Sequence, residues 1–400
     1  MPAVFVHRSF ALLWSARVLS TLAFHVQAVA VGWQLYELTG SALDLGLVGL
    51  VQFVPMVLLA LAAGQAADRY DRRGIVIVCQ LVKAAAAVTL ALGTGGGWLG
   101  RESILATMAL VGAARMFETP TLAALVSDVV PRPLIPPAAA WSISANQTAR
   151  IVGPALGGVL YGFSPTVTYV VIAALVILAA LGAALIRGRR VAGEREPVTL
   201  ETVLSGVAFI RHRPVLLGTM SLDLFAVLLG GATALLPIFA RDILSTGPVG
   251  LGLLRAAPAV GALAMSVLMA RHPLQRRIGR ALFRAVVVFG AATVAFGLST
   301  NLVLSLVALT VLGASDVVSV VIRFSLVQIR TPDVMRGRVS AVHSLFTGTS
   351  NQLGEFESGL AAALFGPVPA VLIGGLGTIA VAALWMRLFP ELRRIHTYEE

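Results

Sequence analysis

The residues of this chain best suited to chemistry are ionisable side chains set inside long apolar runs. They are Asp223, Asp316, Arg115, Glu118, Arg17, His25 and the two glutamates of GEFESG (354–359). A charge at the centre of a membrane helix costs about 2.5–3.5 kcal/mol even on the lenient insertion scale, so each needs a partner, water or a role. Asp223 and Asp316 suit proton exchange or contact with a cationic substrate, because desolvation favours the neutral acid and a neighbouring arginine favours the carboxylate. A static ion pair is the competing reading for both. Arg115 and Glu118, three apart, can pair along one helix face or pass a proton. Arg17, Thr21 and His25 fall at i, i+4 and i+8 and make a polar stripe. In it His25 is either a proton acceptor or a plain hydrogen-bonding group. Arg150 is expected at a helix interface beside Asn146, and Lys83 has no legible partner.

Glu355 and Glu357 sit about 200° apart on a helix, so they cannot share a face. Glu355 continues a polar and small stripe through Thr347, Asn351, Gln352 and Gly359, facing Arg255 or outside water. Glu357 follows Phe346, Ser350 and Leu353. Only Glu355 joins the mechanistic candidates.

The elements that must position these groups are membrane helices. The 400 residues are 58% hydrophobic and 12% charged, with a mean hydropathy of +0.89. Soluble domains carry about 25% charged residues. A hydrocarbon core about 30 Å thick needs about 20 helical residues, and backbone groups in lipid must pair within their own segment. The sequence predicts an all-α polytopic membrane protein with twelve spans over 9–36, 44–66, 75–93, 103–126, 138–161, 165–186, 215–240, 247–270, 281–299, 302–325, 338–364 and 367–388. Of the 30 Lys and Arg, 22 fall at the termini, on one set of alternate loops or at the span ends beside them, two on the other set and six deeper within spans. The positive-inside rule then puts both termini in the cytoplasm and explains the net charge of +11 without nucleic acid. The lone Cys79 excludes an intramolecular disulfide.

The polar interval between the sixth and seventh spans divides the chain into a six-helix bundle over 1–186, a linker over 187–214 and a second bundle over 215–400. Within the linker, TLETVLSGVAFI has helical apolar spacing and suits the inner membrane surface. Two similar halves are what an alternating-access transporter needs.

Two motifs carry a family resemblance. GQAADRYDRRG (64–74) packs five charges into six residues between the second and third spans. Gly64, Asp68, Arg69, Arg72 and Arg73 resemble the signature loop of the major facilitator superfamily. That resemblance implies a conformational gate in which the aspartate meets the start of the eleventh span. A carboxylate at a helix N-terminus is favoured. The corresponding loop of the second half, ARHPLQRRIGR, has Ala270 where Asp68 would align. In ARIVGPALGG (149–158), Ala145, Ala149, Gly153 and Gly157 are each four apart and form a smooth ridge for close helix approach, with Pro154 bending the helix. Gly153, Pro154, Gly157 and Gly158 resemble the superfamily's antiporter motif. A generic packing face is the plain alternative. RTPDVMRGRVSAVHSLFTGTSNQLGEFESG (330–359) and ALLWSARVLSTLA resemble the drug and siderophore exporter branch. The resemblance implies two pseudo-symmetric bundles in which spans one, four, seven and ten line the cavity, bringing Asp223 and Asp316 to it.

Other motifs fail on context. GGGWLG (95–100) joins two spans and follows no strand. The only lysine follows Val82, which leaves no P-loop and no ATP site. The histidines lack metal-ligand spacing, and no nucleophile elbow occurs. The expected function is a secondary transporter of the bacterial cytoplasmic membrane that exports a small amphipathic compound (a drug, siderophore or metabolite) against protons. It is expected to act as a monomer with no cofactor, no metal and no nucleic-acid partner. The alternatives are a proton-coupled importer and a lysolipid or lipid flippase; an enzyme lacks its constellation here.

Overall fold

The computed structural model describes residues 3–186 and 200–398, apart from a few side chains within helices, and the described residues contain no strand. Helices α1 to α6 span Arg8–Thr39, Ala42–Arg69, Arg72–Gly95, Arg101–Val129, Ile135–Phe163 and Pro165–Ala184. They are followed by α7 Leu200–Arg211, α8 Pro214–Leu229, α9 Leu236–Ile238, α10 Gly247–Arg271 and α11 Ile278–Leu298. The last four are α12 Leu302–Arg330, α13 Asp333–Phe365, α14 Pro367–Leu388 and α15 Pro390–Arg394. Residues 187–199 of the expected linker lie outside the described residues; its apolar-periodic part is helix α7.

Local chemistry sets the boundaries. Asp71 caps α3 by accepting from the Gly74 amide at 2.9 Å, and Asn301 caps α12 by accepting from the Val303 and Leu304 amides. Such side chains satisfy amides that the first turn leaves orphaned. Proline opens α6, α8, α14 and α15, where its missing amide costs nothing. Gly40 ends α1 in the left-handed region at φ 59°.

Ten helical segments among the described residues are long and apolar enough to cross a membrane, and the protein is an integral membrane protein. Of the twelve expected spans, those on α5 and α13 are outside the ten. They have ample length, 29 and 33 residues, but carry the polar load: Asn146, Gln147 and Arg150 on one, and Asn351, Gln352, Glu355 and Glu357 on the other.

The seventh span departs from a continuous helix. α8 stops at Gly230, and the chain continues through a 3-10 turn (Ala232–Leu235), α9 and a π-helical turn (Phe239–Ile243). At the break the chain lies close to α13: a Cβ on Gly231 would lie 2.4 Å from the Gly354 carbonyl.

The chain forms two compact units. One comprises residues 1–40, 51–198 and 247–256, the other 41–50, 199–246 and 257–400. In the first, Phe10, Leu13, Val76, Leu122 and Val126 form a buried apolar core. There α5 packs on α1 through the glycine ridge, with Val26 against Gly157 and His25 against Gly153. The opposite side of Gly158 meets Pro248 and Gly252 of α10. In the second unit Leu222, Leu282, Phe283, Ile322 and Leu326 are buried together. Gly206 of α7 rests on Arg338 and Val342 of α13.

The α10–α12 crossing in the second unit is the tightest of these approaches. A Cβ on Gly313 would fall 1.9 Å from the Pro258 carbonyl, whereas nothing lies within 4 Å of one on Gly337. Gly313→Ala should therefore destabilise the protein by about 1–3 kcal/mol through overpacking. Gly337→Ala, also in a helix, should be neutral or stabilising by up to about 1 kcal/mol. Thermal unfolding of the two variants in detergent compares them directly; equal melting temperatures would contradict the crossing.

Candidate functional site

The first unit holds a closed polar network among α1, α3 and α4. Lys83 Nζ donates to Glu118 Oε2 at 2.6 Å and to Ser20 Oγ at 2.6 Å. Ser20 and Gln80 donate to Glu118 Oε1 at 2.7 and 2.8 Å. All four residues are buried, Lys83 and Glu118 at 5% exposure. A buried ion pair is stable only when additional hydrogen bonds satisfy what remains of both partners, and here Ser20 and Gln80 do that. Lys83, which had no legible partner, is thus the counter-ion of Glu118. Glu118 is bound across helices as well as lying near Arg115 on its own.

Arg115 lies over the Phe24 ring, 3.5 Å from its centroid, and Phe24 meets His25 edge-on at 5.4 Å. Thr21 donates to Asn146 of α5 at 3.3 Å, so the Arg17–Thr21–His25 stripe faces α5, where His25 covers Gly153. The charges of Arg150, Arg115 and Arg255 all act on His25, and that of Glu118 on Arg17.

The signature loop uses its arginines to finish helices. Arg72 donates to the Ala67 carbonyl at 3.1 Å and pairs with Asp128 of α4 at 2.9 Å. Arg73 donates to the carbonyls of Ile186, at 3.1 Å, and Ala184 at the end of α6. Cations at helix C-termini are favoured by the exposed carbonyls there. Gly64 lies in the last turns of α2 and Arg69 is its last residue, exposed. The Asp68 side chain lies outside the described residues.

The second unit separates the two aspartates. Asp223 of α8 forms a buried ion pair with Arg323 of α12 and accepts from the Thr347 hydroxyl of α13 at 3.2 Å. Asp316 lies seven residues before Arg323 on α12. With Ser319 and Arg323 it lines a cavity of about 10 Å³, walled by Ala226, Val286 and Phe289. Ser319 and Arg323 are 4% and 3% exposed, and Ser319 Oγ and Arg323 Nε have no hydrogen-bond partner. A polar void of this size suits one water.

GEFESG is clamped at both ends. Gly354 rests on the Val227 and Leu228 carbonyls of α8, and Gly359 on Gly46 of α2. Glu355 packs against Gly49 of α2; Glu357 is half-buried. Among the described residues no group of three or more His, Cys, Asp or Glu could hold a metal ion. Sequence reasoning missed Ser20, Gln80, Ser319 and Arg323. Gln80 and Lys83 at i, i+3 were the only local signal for the first network, and Asp316, Ser319 and Arg323 at i, i+3 and i+7 for the second.

Comparison with known proteins bears on the family and the fold. A family model described as transmembrane secretion effector matches residues 2–397. Enterobactin exporters of Citrobacter koseri and Shigella boydii are 24% and 23% identical over 97% of this chain and 93% of their own length. Among solved structures, a nucleoside transporter superposes with a TM-score of 0.73 at 16% identity, covering 94% of this chain and 100% of its own. A bacterial homologue of the human lysosomal transporter Spinster does so with 0.72 at 14%, covering 97% and 96%. A peptide transporter reaches 0.78 at 10%, covering 97% and 95%. At these identities the structures speak for the fold alone: that of major facilitator transporters.

The Lys83–Glu118 pair makes a stability prediction. Lys83→Met leaves a buried carboxylate unpaired and should cost about 3–5 kcal/mol, whereas the double variant Lys83→Met/Glu118→Leu should recover most of that. Thermal unfolding in detergent reads both. A double variant as unstable as the single one would show that the network is not paired as described.

Proposed function

The chain belongs to the transmembrane secretion effector family of the major facilitator superfamily, and from that premise we propose that it exports a small amphipathic compound across the bacterial inner membrane in exchange for protons. It is a transporter and not an enzyme. The export direction is supported by the enterobactin exporters it resembles along nearly its whole length and by the glycine ridge of α5, whose Gly153, Gly157 and Gly158 lie between α1 and α10. The excess of basic residues on alternate loops supports cytoplasmic termini.

Coupling to protons rests on one observation, the water-sized cavity that Asp316 shares with Ser319 and Arg323. A carboxyl beside a void able to hold a water can exchange a proton with it. Asp316 is accordingly the coupling group, and Asp223 is structural through Arg323. Protonation removes a negative charge from the interior of the second unit and biases a two-state exchange between inward and outward access. The loop bearing Asp68, Arg72 and Arg73 acts as the gate, the two arginines holding helix ends at Ala67 and Ile186.

Everted vesicles carrying the protein, energised to an acidic lumen, should release protons when substrate is added. Culture medium compared between cells with and without the gene supplies the substrate. Asp316→Asn should abolish proton release while substrate binding persists. If the variant releases protons with an unchanged pH dependence, Asp316 is not the coupling group. If the wild type releases none during demonstrated export, the exchange itself is wrong.

A further inference from the structure

Helix α7 packs within the second unit through a narrow face. Gly206 rests on the Arg338 carbonyl and Val342 of α13, and Arg338 donates to Ser205 Oγ at 3.4 Å. Ile210, one turn on, is buried in a core with Leu216 and Met220 of α8, Val327 of α12, and Val339 and Val342 of α13. The face turned away from this contact carries Leu204, Val207, Ala208 and Arg211, spread over about 100° of the helix. All four are exposed, Leu204 and Val207 at 59% and 38%. We propose that this face docks on the cytoplasmic leaflet of the bilayer and selects anionic phospholipid headgroups.

The depth of α7 follows from that core. Leu216 and Met220 fall within the first two turns of α8, and Val327 within the last turn of α12. Both helices belong to membrane-spanning segments, so α7 lies level with the ends of two spans and not out in bulk water. Those ends are on the side where the basic residues of the loops collect. Ile329, also in the last turn of α12, is 55% exposed and carries apolar surface down to the same level. A helix held there with a leucine and a valine outward enters the boundary between headgroups and acyl chains.

The charge at this end of α7 selects the headgroup. Residues 204–214 include Arg211 and Arg213 and no acid. Glu201, the one acid of α7, comes ten residues before Arg211, about 15 Å along the helix. Arg213 lies over the Phe209 ring, 4.5 Å from its centroid, which holds the guanidinium beside the helix. His212 Nδ1 donates back to the Ala208 carbonyl at 2.8 Å. Guanidinium forks match phosphate oxygens in pairs. A zwitterionic headgroup offsets its phosphate with its own ammonium, whereas an anionic headgroup keeps a net charge for the arginines to meet. Ser205 and Gly206 hold α13 from the other side of α7, so the docked helix ties the leaflet to the helix that carries Glu355.

The full chain, labelled at Leu204→Cys with a nitrobenzoxadiazole dye and placed in phosphatidylcholine nanodiscs, tests this. Cys79, the native thiol, is buried and escapes the label. Small equal fractions of phosphatidylglycerol or phosphatidylcholine bearing a nitroxide high on one acyl chain are then compared as quenchers. Phosphatidylglycerol should quench the more strongly, with a preference of about fivefold for each arginine. Arg211→Gln and Arg213→Gln should each lower the preference about fivefold, the double variant should abolish it, and Arg211→Lys should keep most of it. Val207→Cys gives the same reading from the same face should Leu204→Cys label poorly. Quenching by neither lipid overturns the proposal, because the face is then in water or covered by another segment or a second copy. Equal quenching by both overturns it as well, because the bilayer is then met without recognition of charge. So does a phosphatidylglycerol preference that survives unchanged in the double variant. The measurement needs neither a gradient nor transport, so its outcome is independent of proton exchange.

Discussion

A charge held inside a membrane must be met by another charge, by water or by hydrogen bonds, and the interior of this protein is organised around that requirement. Lys83 and Glu118 satisfy it with two further polar groups, Ser20 bonding both partners and Gln80 the carboxylate. The result joins α1, α3 and α4 through side chains that would be intolerable singly. Asp223, Arg323 and Thr347 do the same for α8, α12 and α13. Where the requirement is not met within the protein, at Ser319 Oγ and Arg323 Nε, a small void lies beside an aspartate.

The second organising device is removal of side chains. Lipid offers no hydrophobic reward for bringing helices together, so close packing must come from small residues. Gly153 and Gly157 let α1 lie directly on α5, and Gly158 admits α10 from the other side. Gly354 and Gly359 bracket Glu355 so that the acid-bearing stretch of α13 is pinned to α8 and α2. Just after the break at Gly230, Gly231 likewise sits against a carbonyl of α13 where a Cβ has no room. Outside the apolar segments, Arg72 and Arg73 serve the backbone, completing helix ends at Ala67, Ala184 and Ile186.

Much of this was legible in residue order. Helix lengths follow from apolar runs, and the family follows from GQAADRYDRRG and GPALGG. Glu355 and Glu357 were separable by helical rotation alone, and Glu355 does pack against another helix at Gly49. Other readings needed partners that lie far away along the chain. Lys83 and Glu118 are 35 residues apart, Ser20 and Glu118 98, and Arg323 and Asp223 100. Nothing local shows that Asp223 meets Arg323 and Thr347, or that Asp316 lines a cavity. The two polar-loaded helices α5 and α13 show the opposite limit: their composition alone ranks them below the other spans, although their length and packing match.

By itself the sequence determined that the chain is a polytopic helical membrane protein of the major facilitator type, and which loops carry its basic charge. These properties depend on hydropathy, length and short motifs, each of which acts within one segment. Tertiary structure decided which ionisable residue meets which and where the seventh span breaks. Those properties depend on distances between helices that are remote in sequence. Whether a charge in lipid is part of the scaffold or poised to react is set by what stands within about 3 Å of it.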